Sequence, residues 1–123
     1  MPVVRVDVPE GHSREKLRAV RREVEKAISR TWATSHIYVA VREMVAEPGD
    51  RSAVVTVDLR PGRGQEAERA AALYREVLQV LRSMLNTDAE RLVLLVREFP
   101  ERCFVVDGGT RLPPLVELTP QLP

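Results

Sequence analysis

The strongest constraint on how this chain folds is that it states one pattern twice. Val6-Asp7-Val8-Pro9-Glu10-Gly11-His12 lies over Val57-Asp58-Leu59-Arg60-Pro61-Gly62-Arg63, and Val41-Arg42-Glu43-Met44 lies over Val96-Arg97-Glu98-Phe99. Each copy reads as strand, helix, strand. In the first, Val4, Val6 and Val8 alternate with Arg5 and Asp7, the period of a half-buried strand. Pro9 to His12 turns the chain, and Ser13 is a natural N-cap, with Lys16 where a capping box would place Glu. Leu17, Val20, Val24, Ala27 and Ile28 then recur at helical spacing over roughly 18 residues. A second strand is expected over 36–45, with Ile37, Val39 and Val41 on one face.

Glu47-Pro48-Gly49-Asp50 is the strongest punctuation in the chain and marks the junction between copies. In the second copy Val55, Val57 and Leu59 alternate with Thr56 and Asp58, and Arg60-Pro61-Gly62-Arg63-Gly64 turns. Ala67, Ala70, Tyr74, Val77, Leu78, Leu81 and Leu85 stripe a helix. The run Leu92-Val93-Leu94-Leu95-Val96 is apolar on both faces, as a central strand is. A right-handed crossover makes the strands of each copy parallel. The fold class that follows is α+β: tandem β-α-β units, about residues 2–47 and 53–109, forming a four-stranded mixed sheet with two helices on one face. The whole chain, 1–123, then reads as a single domain with a tail at 111–123. The other sheet face carries apolar residues and no helix, so self-association is expected.

Composition narrows the function. The 123 residues are 44% hydrophobic, 30% charged and only 4% aromatic, so the core is aliphatic. Nineteen basic and eighteen acidic residues are interspersed and leave a net charge of +1. That argues against nucleic acid as a partner, and no apolar run approaches the ~20 residues of a membrane span. One cysteine, Cys103, and no signal-peptide pattern fit a reducing cytoplasm. His12, His36 and Cys103 have no metal-ligand spacing, so neither metal nor cofactor is expected. Cys103 is expected to be a buried structural thiol, His12 a surface residue and Trp32 a packing residue.

Chemistry enters through Pro2, directly after Met1. Removal of Met1 would make Pro2 an N-terminal secondary amine, whereas an internal prolyl nitrogen is an amide without proton or basicity. Desolvation and nearby cations both lower an amine pKa, which fits such a nitrogen for general base, acid or nucleophile. If Met1 stays, the fold is instead that of an assembly or binding module.

Pro2 ahead of an alternating strand, Glu10-Gly11-x-Ser13, the helix segment Arg22 to Arg30, and a strand closing on Glu43-Met44 together resemble 4-oxalocrotonate tautomerase. The second copy resembles the same unit, with its Gly62-Arg63 turn, its strand ending at Glu98, and Phe104 ahead of Gly108-Gly109. Residues 2 to 112 take part, and two units in about this length resemble the fused members of the tautomerase superfamily, with their tautomerase/MIF-like trimeric fold. The resemblance implies a homotrimer acting on a small carboxylate substrate, with Pro2 moving a proton in an enol or keto acid. Ala53 holds the matching place in the second copy, so it implies one proline site per chain. It assigns Arg63 to the substrate carboxylate. Arg60-x-x-Arg63 also resembles the paired arginines of cis-3-chloroacrylic acid dehalogenase. Phe104 falls on an apolar wall of the tautomerase pocket, and Tyr38 falls where the tautomerase has its other arginine. Asp107 is the acid nearest to the dehalogenase's water-activating glutamate. His12 stands where the tautomerase turn has arginine, so its two-arginine clamp is incomplete. The alternative is a cofactor-free dehalogenase, hydratase or decarboxylase of a three-carbon acid using the same proline.

Overall fold

The structure, a computed structural model, describes residues 2–105. Asp107, the Gly108-Gly109 pair and the tail from Arg111 to Pro123 lie outside the described residues. The chain runs β1 (Val3–Pro9), α1 (Arg14–Trp32), β2 (Tyr38–Met44), β3 (Ala53–Leu59), α2 (Glu66–Leu85) and β4 (Leu92–Glu98), with short 3₁₀ turns at Ala89–Arg91 and Glu101–Cys103.

The sheet order is β2-β1-β3-β4. β1 pairs parallel with β2 and β3 parallel with β4, as two crossover units require. The units join through an antiparallel β1–β3 seam, in which Val3 faces Asp58 and Val6 faces Val55. Val4, Val6 and Val8 of β1 and Val55, Val57 and Leu59 of β3 share one core with Val20, Val24 and Ile28 of α1 and Leu73, Val77 and Leu81 of α2. The strand residues in this core are those of one face, and α1 touches α2, so both helices cover the same side.

The first helix begins as its sequence directs. Ser13 caps α1, its hydroxyl accepting from the Lys16 amide at 3.1 Å. Both helices end on a left-handed residue, Ala33 and Asn86, the usual way to close a last turn.

The duplication extends to single side chains on the open face. Arg42 forks onto Asp7 at 2.7 and 3.1 Å. Arg97 forks onto Asp58, the matching pair of the second copy, at 2.7 and 3.0 Å. Bidentate pairs of this kind fix register as well as charge. The open face is therefore mixed, with Ala40, Val54, Val93 and Leu95 set among these ion pairs.

Three expectations are corrected. β4 is an edge strand, not a central one. Its doubly apolar run has one side on the core, while Val93 and Leu95 stand half-exposed, at 47% and 48%, on the uncovered face. In α2, Ala67 is exposed, and the buried stripe is Arg69, Leu73, Val77, Leu81 and Leu85, an unbroken i+4 series. The second strand is shorter than 36–45, because Ser35 to Ile37 forms the passage from the left-handed Ala33 into the sheet. Among the described residues, no helix is long and apolar enough to cross a membrane.

Candidate functional site

The antiparallel seam brings the chemically interesting residues to one edge. Because Val3 pairs with Asp58, Pro2 stands level with Leu59, the last residue of β3. The parallel pairing of Val3 with Tyr38 sets Pro2 level with Ile37, and the Pro2 carbonyl accepts from the Tyr38 amide at 3.0 Å. Strand alternation turns Pro2 to the helix side with Val4, and it is buried. Arg60 follows Leu59 directly. Topology alone thus sets the start of β1 beside the turn that carries Arg60 and Arg63.

That turn folds its cations inward. Gly62 and Gly64, on either side of Arg63, have φ of 96° and 88°, which L side chains rarely adopt. Gln65 continues left-handed at φ 55° into α2. Arg60 is 5% exposed, Arg63 9% and Arg69 0%. Two of the three close the C-terminus of α1. Arg63 Nη1 donates to the carbonyls of Trp32 and Ala33, and Arg69 donates from Nη1 to Thr31 O and from Nε to Gly64 O, both at 2.8 Å. The carbonyls of Thr31, Trp32 and Ala33 are those the end of α1 leaves unpaired, at the negative end of its dipole, while Gly64 O lies in the turn ahead of α2.

Arg60 differs. Its Nε and Nη1 are buried without a hydrogen-bond partner, and its nearest acid is Glu101, whose Oε1 lies 3.8 Å from Nη1. The ion-pair separation and the missing hydrogen bond agree, since 3.8 Å is beyond hydrogen-bond reach. Burial pushes the Arg60 guanidinium below its ordinary pKa while Glu101 opposes the shift. Burial, then the charges of Arg60 and Arg69, push Arg63 the same way. Both stay protonated, as arginine does in proteins, so the turn is a concentrated, poorly solvated positive charge. The Trp32 indole Nε1 is likewise buried and without a partner.

A broad open cavity lies on the uncovered face at this same edge. Val3, His36, Tyr38, Asp58, Phe99, Cys103, Phe104 and Val105 are among its lining residues. Phe99 and Phe104 meet edge to face, with ring centres 6.5 Å apart. Two of the expected substrate-binding residues, Phe104 and Tyr38, therefore share a cavity, with Tyr38 66% exposed. Pro2, Arg60 and Arg63 do not line it, and the structure divides the expected site into a buried cationic turn and an aromatic groove. Asp107 lies outside the described residues.

Cys103 is exposed, on the 3₁₀ turn Glu101–Cys103 and not in a strand. Pro100 ends the extended chain just before it and gives the segment no ladder to bury it in. Trp32 is buried as expected of a packing residue, and His12 is half-buried. Among the described residues, no three His, Cys, Asp or Glu side chains converge as a metal would need. Sequence reasoning missed Arg69 and Glu101. Arg69 had a signal, its i+4 spacing from Leu73; Glu101 had none.

The sequence pattern of a family described as tautomerase enzymes matches residues 2–48. No curated protein sequence matches the chain. Among solved structures, a wild-type fused 4-OT described as a symmetric trimer superposes with a TM-score of 0.76 at 22% identity, covering 89% of this chain and 94% of that one. The macrophage migration inhibitory factor-like protein of Entamoeba histolytica gives 0.77 at 14% identity over 90% and 98% of the chains. A member of the cis-3-chloroacrylic acid dehalogenase family gives 0.75 at 17% identity over 90% and 83%. At such identities the superpositions speak to the fold alone. The chain has the tautomerase fold that these 4-OT and MIF-like structures share, and its first β-α-β unit carries the tautomerase sequence pattern.

Proposed function

We propose that the chain, once Met1 is removed, is a cofactor-free tautomerase that moves a proton within a small enol or keto carboxylic acid. The observation that carries this reading is the burial of Pro2 one strand-step from a turn holding Arg60 and Arg63, both almost wholly out of water. A secondary amine there is desolvated and close to cations, and both effects favour its neutral form. It accepts a proton from the enol and returns it to carbon as general base and acid.

Arg60 is the principal carboxylate ligand, because its Nε and Nη1 have no competing acceptor. Arg63, already engaged with α1, adds charge that steadies the enolate. This reverses the weight that the resemblance gives the pair. Phe104 and Tyr38 belong to the wall that limits water, and Asp107 is a further candidate contact.

The same reading makes the protein a homotrimer. The fused 4-OT that it resembles is described as a trimer. Val93, Leu95 and Tyr38 lie exposed on the uncovered sheet face, where neighbouring copies would cover them. Packing of a neighbour there also closes the aromatic groove from its open side.

The test is ketonisation of 2-hydroxymuconate and of phenylenolpyruvate, followed by absorbance, with wild type and Pro2→Ala whose intact masses show Met1 removed. Loss of at least 100-fold in kcat/KM, the ordinary worth of a general base, is expected. Equal rates end the proposal. The paired arginines in one turn also suit the dehalogenase or hydratase reading, in which protonated Pro2 is the acid. A pH–rate profile separates the two: activity through the amine pKa rises with pH for a base and falls for an acid.

A further inference from the structure

Arg60 presents an unusual balance. A guanidinium 5% exposed carries two buried donor atoms with no acceptor, and the only charge that answers it among the described residues is a carboxylate held just too far away. Leaving buried donors unmet is costly, and a structural ion pair would normally shorten until they were satisfied.

Local geometry explains why Glu101 stops short. The Phe99 amide donates to Leu59 O at 2.8 Å and pins the end of β4 to the end of β3. Pro100 then starts the 3₁₀ turn, closed by Cys103 N to Pro100 O at 2.8 Å and Phe104 N to Glu101 O at 3.0 Å. The backbone therefore fixes Glu101 at the rim above Arg60, while its side chain remains 50% exposed. The carboxylate is near enough to offset the charge and loose enough to leave.

We infer that Glu101 is a displaceable gate over Arg60: its carboxylate holds the place of the substrate carboxylate in the free protein and swings into solvent when an anion binds. The gate belongs to the carboxylate site proposed above and rests on that reading of Arg60. It determines selectivity. An incoming acid must replace Glu101, so a carboxylate oxygen that accepts from Nη1 within hydrogen-bond distance gains what Glu101 at 3.8 Å does not make. A ligand with a single weak acceptor gains too little to displace it.

The test uses oxalate as the probe, titrated calorimetrically into wild type, Glu101→Gln and Glu101→Ala, with the Arg60 Nε–H NMR resonance followed in each. Both variants are expected to bind oxalate about two- to fivefold more tightly than wild type, the range of a partly exposed ion pair. The Arg60 resonance is expected to move on saturation in all three proteins. Unchanged or weaker oxalate affinity in both variants shows that Glu101 merely braces the turn and overturns the gate. A resonance that ignores oxalate does the same. Pro2→Ala keeps the two ideas apart. If that variant still ketonises enols, the proline chemistry fails and the gate stands; if only the oxalate result fails, the proline chemistry stands without it.

Discussion

Replacing Arg69 with methionine tests whether a buried cation, and not apolar packing alone, ties the two units together. Arg69 is wholly buried and donates at 2.8 Å both to Thr31 O, in the last turn of α1, and to Gly64 O, ahead of α2. Each hydrogen bond from an ionised donor is worth about 1.5–3 kcal/mol net. Methionine keeps much of the side-chain volume and removes the cost of burying a charge, which offsets part of that loss. Relief of the repulsion between Arg69 and Arg63 acts in the same direction. The balance is a destabilisation of about 2–3 kcal/mol. The assay is urea unfolding at one fixed protein concentration, because association changes apparent stability. Arg75→Met, at an exposed position of the same helix, is the control and stays within about 0.5 kcal/mol of wild type. A loss below about 0.5 kcal/mol for Arg69→Met, with unchanged m-value, refutes the reasoning.

Two smaller perturbations test the helix starts. Ser13→Ala removes the acceptor for the Lys16 amide and is expected to cost about 1 kcal/mol in the same unfolding assay; no change would mean that water replaces the cap. Glu66 accepts from the Gly64 amide at 2.9 Å, and backbone hydrogen bonds, that of Gly64 first, hold its carboxyl below the ordinary range. A carboxyl lowered on folding adds stability that is complete above its unfolded pKa and drains away as pH falls through the folded value. Glu66→Gln is therefore expected to flatten the acid side of the stability–pH curve and leave its slope above pH ~6 unchanged.

Much of the fold was legible because it rests on period. The alternation in β1 and β3 places Val4, Val6, Val55 and Val57 in the core as read, and the duplicated turn located both crossovers. β4 misled because an apolar run says that two faces avoid water, not which neighbour covers them. Arg69 was passed over because a charge on a helix is ordinarily a solvated face; only the partners of its guanidinium, supplied by α1 38 residues earlier, make burial tolerable. Cys103 was misplaced because its segment follows Pro100 off the sheet. The site divides in the same way. Pro2 was singled out from its position and residue type, and Arg60 and Arg63 from the family resemblance, but the sequence holds nothing about which arginine has free donors. That depends on where the end of α1 meets the Gly62–Gly64 turn. Glu101 comes within 3.8 Å of Arg60 through the short turn after β4.

In the proposed function Pro2 is an unblocked amine, out of water and beside buried arginines. Nitrogen NMR of protein labelled at proline measures it directly, through the chemical shift of the terminal nitrogen against pH. One titration is expected, with a pKa below the about 7.7–8.0 of an ordinary terminal amine, rising when Arg60 is replaced by glutamine. A nitrogen that never titrates, as a retained Met1 would cause, or one with an unshifted pKa indifferent to Arg60, contradicts it.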